Sequence, residues 1–285
     1  MEMNKTQKMK TVVIIAALAM AFAVGGCTSK EEAPKITEGQ APELEGTIQI
    51  AGSTSVQPLS EELAKGFMVI NPKVKINVAG GGSGAGVKAA QSGTADIGAA
   101  SRELKDAEKP TVKYLAIAMD GIAVIVHKDN KIADLTIENI AKIFAGEITD
   151  WSELDGEKGT IHVFNREEGS GTRGAFEEIV LGDAAFTDKA GIQNSTGAVR
   201  TAVAGDISGI GYISLGGVND EIKALKVESV EATLANVQSE KYKIARPFNY
   251  LTQKDPEGIV KAFIDYILSA EGQEVVLENG FIPVK

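Results

Sequence analysis

The chain has 285 residues, 44% of them apolar and 24% charged, and a formal net charge of −10. That balance excludes nucleic acid and anionic lipid surfaces as partners, because sequence-independent attraction to either needs a basic face. The single cysteine excludes internal disulfides, so whatever folds is held by its core.

In chain order, Lys5, Lys8 and Lys10 precede Val12 to Val24, an unbroken apolar run of 13 residues that ends in "VGGC" at Cys27. Thirteen residues are too few to cross a bilayer as a helix, and the basic, apolar, small-residue order is that of a secretory signal. "VGGC" resembles the lipobox of lipoproteins, which implies a signal peptide over residues 1–26 and a lipid on Cys27. Removing the first 26 of 285 residues leaves 259, ample for one large domain or two small ones. Three lysines and one glutamate leave with the signal, so the charge moves from −10 to −12. The rest of residues 27–45 has two prolines, seven charged residues and almost no apolar periodicity, which reads as a disordered tether spanning about 25 Å.

From Thr47 onward, short β-branched runs alternate with helical patterns. "TIQIAG" precedes Leu59, Leu63, Phe67 and Ile70, which recur at helical spacing; "KINVAG" precedes "GVKAAQSG"; "ADIGAAS" precedes "RELKDAEK", a helix that Ser101 is placed to cap. "GIAVIVHKD" reads as a buried strand. Leu135, Thr136 and Ile140 fit a hydrophobic staple around an N-cap, for a helix ending near Gly146. Then follow "IHVF", the helix "RGAFEEIVLG", the strands "GIGYISL" and "ALKVESV", the extended "YKIARPFNYLT" and a helical stretch from Glu257 to Asn279. Trp151 reads as core. Alternation of this kind predicts an α/β fold with mostly parallel strands.

Three of these strands run into a Gly/Ser/Thr turn that opens a helix: "IQIAGSTSVQP", "INVAGGGSGAGV" and "HVFNREEGSGTRGAF". Backbone N–H groups at a helix start have no intrahelical partner and sit at the positive end of the macrodipole, so such turns favour anions. In open α/β sheets they lie at the carboxyl ends of strands, where crevices form. "GGGSGAGVK" lacks the Gly-Lys-Ser/Thr ending of a phosphate-binding loop of nucleotide enzymes, and no acidic residue is placed to read a ribose.

"AGSTSVQPL", "GGGSGAGV", "ADIGAASREL", "NREEGSGTRGAF", "GIGYISL" and "IARPFNYLT", in this order, resemble the PstS family of phosphate-binding proteins of phosphate ABC transporters. The resemblance runs from about Gly46 to the C-terminus. It implies a two-lobe periplasmic-binding-protein fold (type II), with a ligand cleft between lobes joined by crossing strands. Lobe 1 would comprise residues 46–122 plus 245–285, and lobe 2 residues 123–244. It also implies a phosphate-binding set: Thr54, Ser55, Ser83, Asp96, Arg166, Glu168, Ser170, Gly171 and Thr172. Many relatives have Asp where Glu168 stands.

Phosphate near neutral pH is an anion that still carries a proton, whereas sulfate has none. Arg166 can present paired donors, and hydroxyls and backbone N–H groups fill other lone pairs. An ionised Asp96 can only accept, so it would favour phosphate and repel sulfate. Three helix termini at about +0.5 each and Arg166 roughly balance a dianion and one carboxylate. A second bare carboxylate spoils that balance, so Glu168 is expected to pair with Arg166 or with a donor away from the ligand.

The expectation is therefore an extracytoplasmic lipoprotein, held at the outer face of the cell membrane through Cys27. It would be a monomer that delivers inorganic phosphate to permease subunits. Binding of another oxyanion such as sulfate or molybdate is the alternative. A secreted phosphatase is a further one, but no Gly-x-Ser-x-Gly elbow, HExxH or CxxC occurs, and His127 and His162 lie in separate strands, so neither catalysis nor a metal or cofactor is expected.

Overall fold

The computed structural model describes residues 43–284; the expected signal peptide, Cys27 and most of the tether lie outside the described residues. In chain order the elements are β1 (Gly46–Gly52), α1 (Gln57–Ile70), β2 (Val74–Gly80), α2 (Ser83–Ser92), β3 (Ile97–Ala100), β4 (Lys113–His127), β5 (Asp134–Leu135) and α3 (Ile137–Ala145). They continue with β6 (His162–Arg166), α4 (Gly171–Phe176), β7 (Gly191–Gln193), α5 (Thr196–Ala204), β8 (Gly209–Ser214), β9 (Ile222–Ala224) and β10 (Lys226–Val227). α6 (Leu234–Gln238), β11 (Ala245–Thr252), α7 (Gly258–Ile267) and α8 (Ala270–Glu278) complete the chain.

The main sheet runs β2-β1-β3-β11-β4-β8-β6-β7, with β9 also paired to β4. At its two ends the strands are parallel, β1 with β2 and β3, and β6 with β7 and β8. In the middle they are antiparallel, so the sheet is mixed rather than mostly parallel. The reason is β4, longer than the strand read from "GIAVIVHKD". Its early part pairs with β11 (Arg246 opposite Asp120), and its later part pairs with β8 (Val124 opposite Tyr212). One strand thus serves both ends of the sheet.

Each end has its own apolar core. Ile48, Ile50, Leu59, Leu63, Phe67, Phe248 and Phe263 form one, and Val124, Val126, Ile140, Phe144, Phe176 and Tyr212 belong to the other. The result is the two-lobe α/β architecture that the family resemblance implies. In α1, Leu59, Leu63 and Phe67 fill the core face, but Ile70, the last helical residue, is 55% exposed. α3 begins as read: Thr136 Oγ1 accepts from Asn139 N–H, Leu135 and Ile140 are buried in one cluster, and Gly146 closes the helix with φ 80°. Trp151 is core.

Two helical readings change. "RELKDAEK" forms no helix, because Glu108 folds back to accept from Arg102 Nη1 and Nη2 at 2.8 Å and from Lys105 N–H at 2.9 Å, which closes a loop instead. The stretch from Glu257 to Asn279 is two helices, broken at Ser269, whose hydroxyl caps α8 by accepting from Gly272 N–H.

Candidate functional site

β1, β2 and β6 end close together, and the turns that follow them meet. After β1, Ser53 N–H donates to Ala99 C=O at 2.9 Å, which seats the turn on β3. Ser53 Oγ accepts from the N–H groups of Ser55 and Val56, and donates to Ser101 Oγ at 2.8 Å. After β2, Ser83 Oγ accepts from Ser101 N–H at 3.0 Å. Ser53, Ser83 and Ser101 therefore form one buried hydroxyl cluster in the lobe that contains β1.

The second lobe closes on it. Arg166, at the end of β6, is 2% exposed, and its Nη2 donates to Thr54 Oγ1 at 3.2 Å. Ser55 Oγ lies 2.9 Å from Thr172 Oγ1 and 2.8 Å from Thr196 Oγ1. Thr54 Oγ1 also accepts from Thr196 N–H, and Gly84 N–H donates to Gly169 C=O at 2.9 Å. Ser170 caps α4 by accepting from Arg173 N–H. Gly171 follows where space is tightest: a Cβ there would lie 2.1 Å from Ser83 Oγ, which no side chain survives without displacement. Thr54, Ser55, Ser83, Arg166, Ser170, Gly171 and Thr172 are thus brought to one place.

Core packing aims the arginine. Phe176 stacks on Tyr212 with centroids 4.0 Å apart, and Phe144 meets Tyr212 edge-on at 5.4 Å. Burial pushes the Tyr212 hydroxyl well above its ordinary pKa, so it stays protonated and donates to Asn165 Oδ1. The same oxygen accepts from Arg166 N–H at 2.8 Å.

Asp96 is not among these residues. It precedes β3, at the opposite end from the turns, is exposed, and accepts from Gln49 N–H at 2.7 Å. The four residues of β3, a span of five residue steps or about 16 Å at strand rise, separate it from Ser101 at the site end of the strand. Ser101, read as an N-cap, has no helix to cap and belongs to the site. Glu168 is also displaced: it is exposed and lines a groove of ≈ 570 Å³ with Lys88, Arg102 and Arg173. Ser170 N–H donates to Glu167 C=O and Gly169 has φ 88°, so Glu168 sits at the tip of a turn whose third residue only glycine readily fills. Glu167 takes the pairing expected of Glu168, accepting from Arg166 Nε at 2.8 Å and Nη2 at 2.9 Å.

Sequence reasoning missed Ser53, Ser101, Glu167, Thr196 and Arg246. Ser101 ends the apolar run "IGAAS", and Thr196 follows the strand "GIQ" into "NSTG"; both repeat the strand-to-hydroxyl pattern of the other loops. Arg246 lies behind Ser101, donating from Nη1 to its C=O at 3.0 Å and from Nε and Nη2 to Asp120 Oδ2 at 3.2 and 3.0 Å. Asp120 Oδ1 accepts from Ser214 Oγ at 2.9 Å. Burial raises the Asp120 carboxyl to about 6, against the opposing pull of Arg246. Among the described residues, no cluster of His, Cys, Asp or Glu could hold a metal ion, and no helix is long and apolar enough to cross a membrane.

The family model described as "PBP superfamily domain" matches residues 33–271. The phosphate-binding protein PstS of Bacillus subtilis is 30% identical, across 98% of this chain and 95% of its own length. Its namesake in Borreliella burgdorferi is 28% identical, across 97% of this chain and its whole length. Among solved structures, a putative phosphate ABC transporter substrate-binding protein of Clostridium perfringens, with bound phosphate, is 43% identical with a TM-score of 0.82. It covers 84% of this chain and 100% of its own. An ABC-type phosphate transport receptor of Vibrio cholerae is 33% identical with a TM-score of 0.70, covering 82% of this chain and 99% of its own. With its two lobes meeting in hydroxyl-rich turns around a buried arginine, the chain belongs to the PBP superfamily and, within it, to the PstS family of phosphate-binding proteins.

Proposed function

We propose that this protein captures inorganic phosphate between its lobes and delivers it to the permease of an ABC transporter, without chemical turnover. The observation that carries the reading is that hydroxyl-bearing turns from both lobes meet: Ser53, Ser83 and Ser101 form one buried cluster, Ser55 lies on Thr172, and buried Arg166 donates to Thr54. Phosphate needs that supply of donors: Arg166 offers charge and direction, and the hydroxyls and N–H groups at the starts of α1, α2 and α5 fill the remaining lone pairs. Ligand would be held by residues 46–122 plus 245–285 on one side and 123–244 on the other, so binding favours the closed form. The relatives' names supply the cargo and the transporter. A lipid on Cys27 would keep the protein at the outer face of the membrane, near its permease.

Titration calorimetry with phosphate tests the reading. The purified protein binds phosphate, and Arg166→Ala weakens binding about 100-fold or more, as loss of a charge-assisted pair worth about 3 kcal/mol requires. Unchanged affinity in the variant would remove Arg166 from the site. No phosphate binding by the parent protein would end the proposal, and steady hydrolysis of a chromogenic phosphomonoester would replace it with an enzyme.

A further inference from the structure

A carboxylate that faces a bound oxyanion can only accept a hydrogen bond, so it welcomes a protonated oxygen and repels a bare one. The two carboxylates next to this site are both already held by arginines. Glu167 accepts from Arg166 with both oxygens, and Asp120 accepts from Arg246 and Ser214. Asp96 and Glu168 are exposed and outside the hydroxyl cluster. Each of these two carboxylates is therefore matched by an arginine, and attraction for an anion comes from O–H and N–H dipoles together with the part of Arg166 that Glu167 leaves uncovered.

Ser101 holds the central position. Its N–H is used by Ser83 Oγ, its C=O by Arg246, and its Oγ accepts from Ser53 Oγ at 2.8 Å. Ser53 is fixed as the donor in that bond, because its own oxygen receives the N–H groups of Ser55 and Val56. Ser101 Oγ keeps its hydrogen and one lone pair, with only Ser83 Oγ at 3.4 Å to engage either. A hydroxyl so placed can turn either way: it accepts from a P–OH, or it donates to an unprotonated oxygen.

We propose that Ser101 reads the ligand's oxygen in place of a carboxylate, and that the site consequently admits fully deprotonated tetrahedral oxyanions such as sulfate alongside phosphate. This rests on the reading of the site given above. No group in the cluster sets a negative charge against an unprotonated oxygen, so the repulsion by which a protein excludes sulfate is absent. Restoring a carboxylate should restore the exclusion.

The test is titration calorimetry of the purified protein at pH 7 with phosphate and, separately, with sulfate. Sulfate is expected to bind within about 1,000-fold of phosphate, and Ser101→Asp to widen that gap by about 100-fold or more. Phosphate binding in the parent protein with sulfate weaker than the 1,000-fold limit overturns this inference and leaves the proposed function standing. Sulfate binding without phosphate binding overturns the proposed function and, with it, the claim that the two anions share the site. Binding of neither anion overturns both. The comparison in the parent protein decides the matter even if Ser101→Asp does not fold.

Discussion

Asp120 and Arg246 face each other across β4 and β11, 0% and 2% exposed, on the strands that run between the lobes. Such a pair is weak evidence for stability, since desolvation offsets most of its attraction, but breaking it leaves a buried charge without a partner. Asp120→Asn should therefore destabilise the protein by about 3–5 kcal/mol, while replacing both residues by apolar ones of similar volume should cost far less. Denaturant unfolding distinguishes these outcomes, and equal losses in both variants would show that packing rather than charge dominates. The pH dependence has a definite sign. Because the folded carboxyl sits near 6, above the ordinary Asp value, the folded state holds its proton more tightly than the unfolded chain does. The contribution of Asp120 is thus fully present below about pH 4 and is lost as pH rises through 6. Unfolding free energies from pH 4 to 7 should fall more steeply in the parent protein than in Asp120→Asn. Parallel curves would place the Asp120 pKa back in the ordinary range.

At the scale of elements, the site is made by how the opening of α4 meets the start of α2. Gly171 lies against Ser83 Oγ and Ser101 Oγ of the other lobe, and a Cβ there would meet them at 2.1 and 2.8 Å. Gly171→Ala should place about 1–3 kcal/mol of overpacking on the closed form alone, because the clash is between lobes rather than within one. Phosphate affinity should drop roughly ten- to a hundredfold with little change in thermal midpoint. A large loss of thermal stability at unchanged affinity would mean that the clash is relieved within α4. The turn before α4 teaches a second lesson. "REEG" offers two glutamates to one arginine, and the turn alone decides between them: Gly169 supplies the positive φ, Glu168 becomes its tip, and Glu167 remains beside the guanidinium.

At the scale of the whole molecule, two separate cores are joined by long strands, and the ligand would bridge them. A ligand that binds only the folded, closed form stabilises it by mass action, about 2.7 kcal/mol at a hundred times its Kd. For a chain of this size that corresponds to a thermal shift of roughly 5–10 °C. Differential scanning calorimetry with and without phosphate measures it, and an unshifted transition at saturating phosphate would mean that the anion holds neither lobe.

What the sequence determined by itself was local. Periodicity placed the helices of Leu59 and Ile140, the N-cap at Thr136 and the C-cap at Gly146, because each depends on residues within one or two turns. Strand-to-glycine turns marked three of the loops that meet in the site, since strand ends and helix starts carry the same chemistry wherever they occur. Only the tertiary structure decided which end of a strand faces the cleft. Asp96 and Ser101 bracket the same four-residue β3, and no local pattern distinguishes the outer end from the inner one. Likewise, Arg246 acquires its partner from Asp120, 126 residues away, and Ser55 meets Thr196 at 2.8 Å across 141 residues. Such pairings follow from the order in which strands assemble into a sheet, and that order is set by burying two cores at once rather than by any stretch of chain read alone.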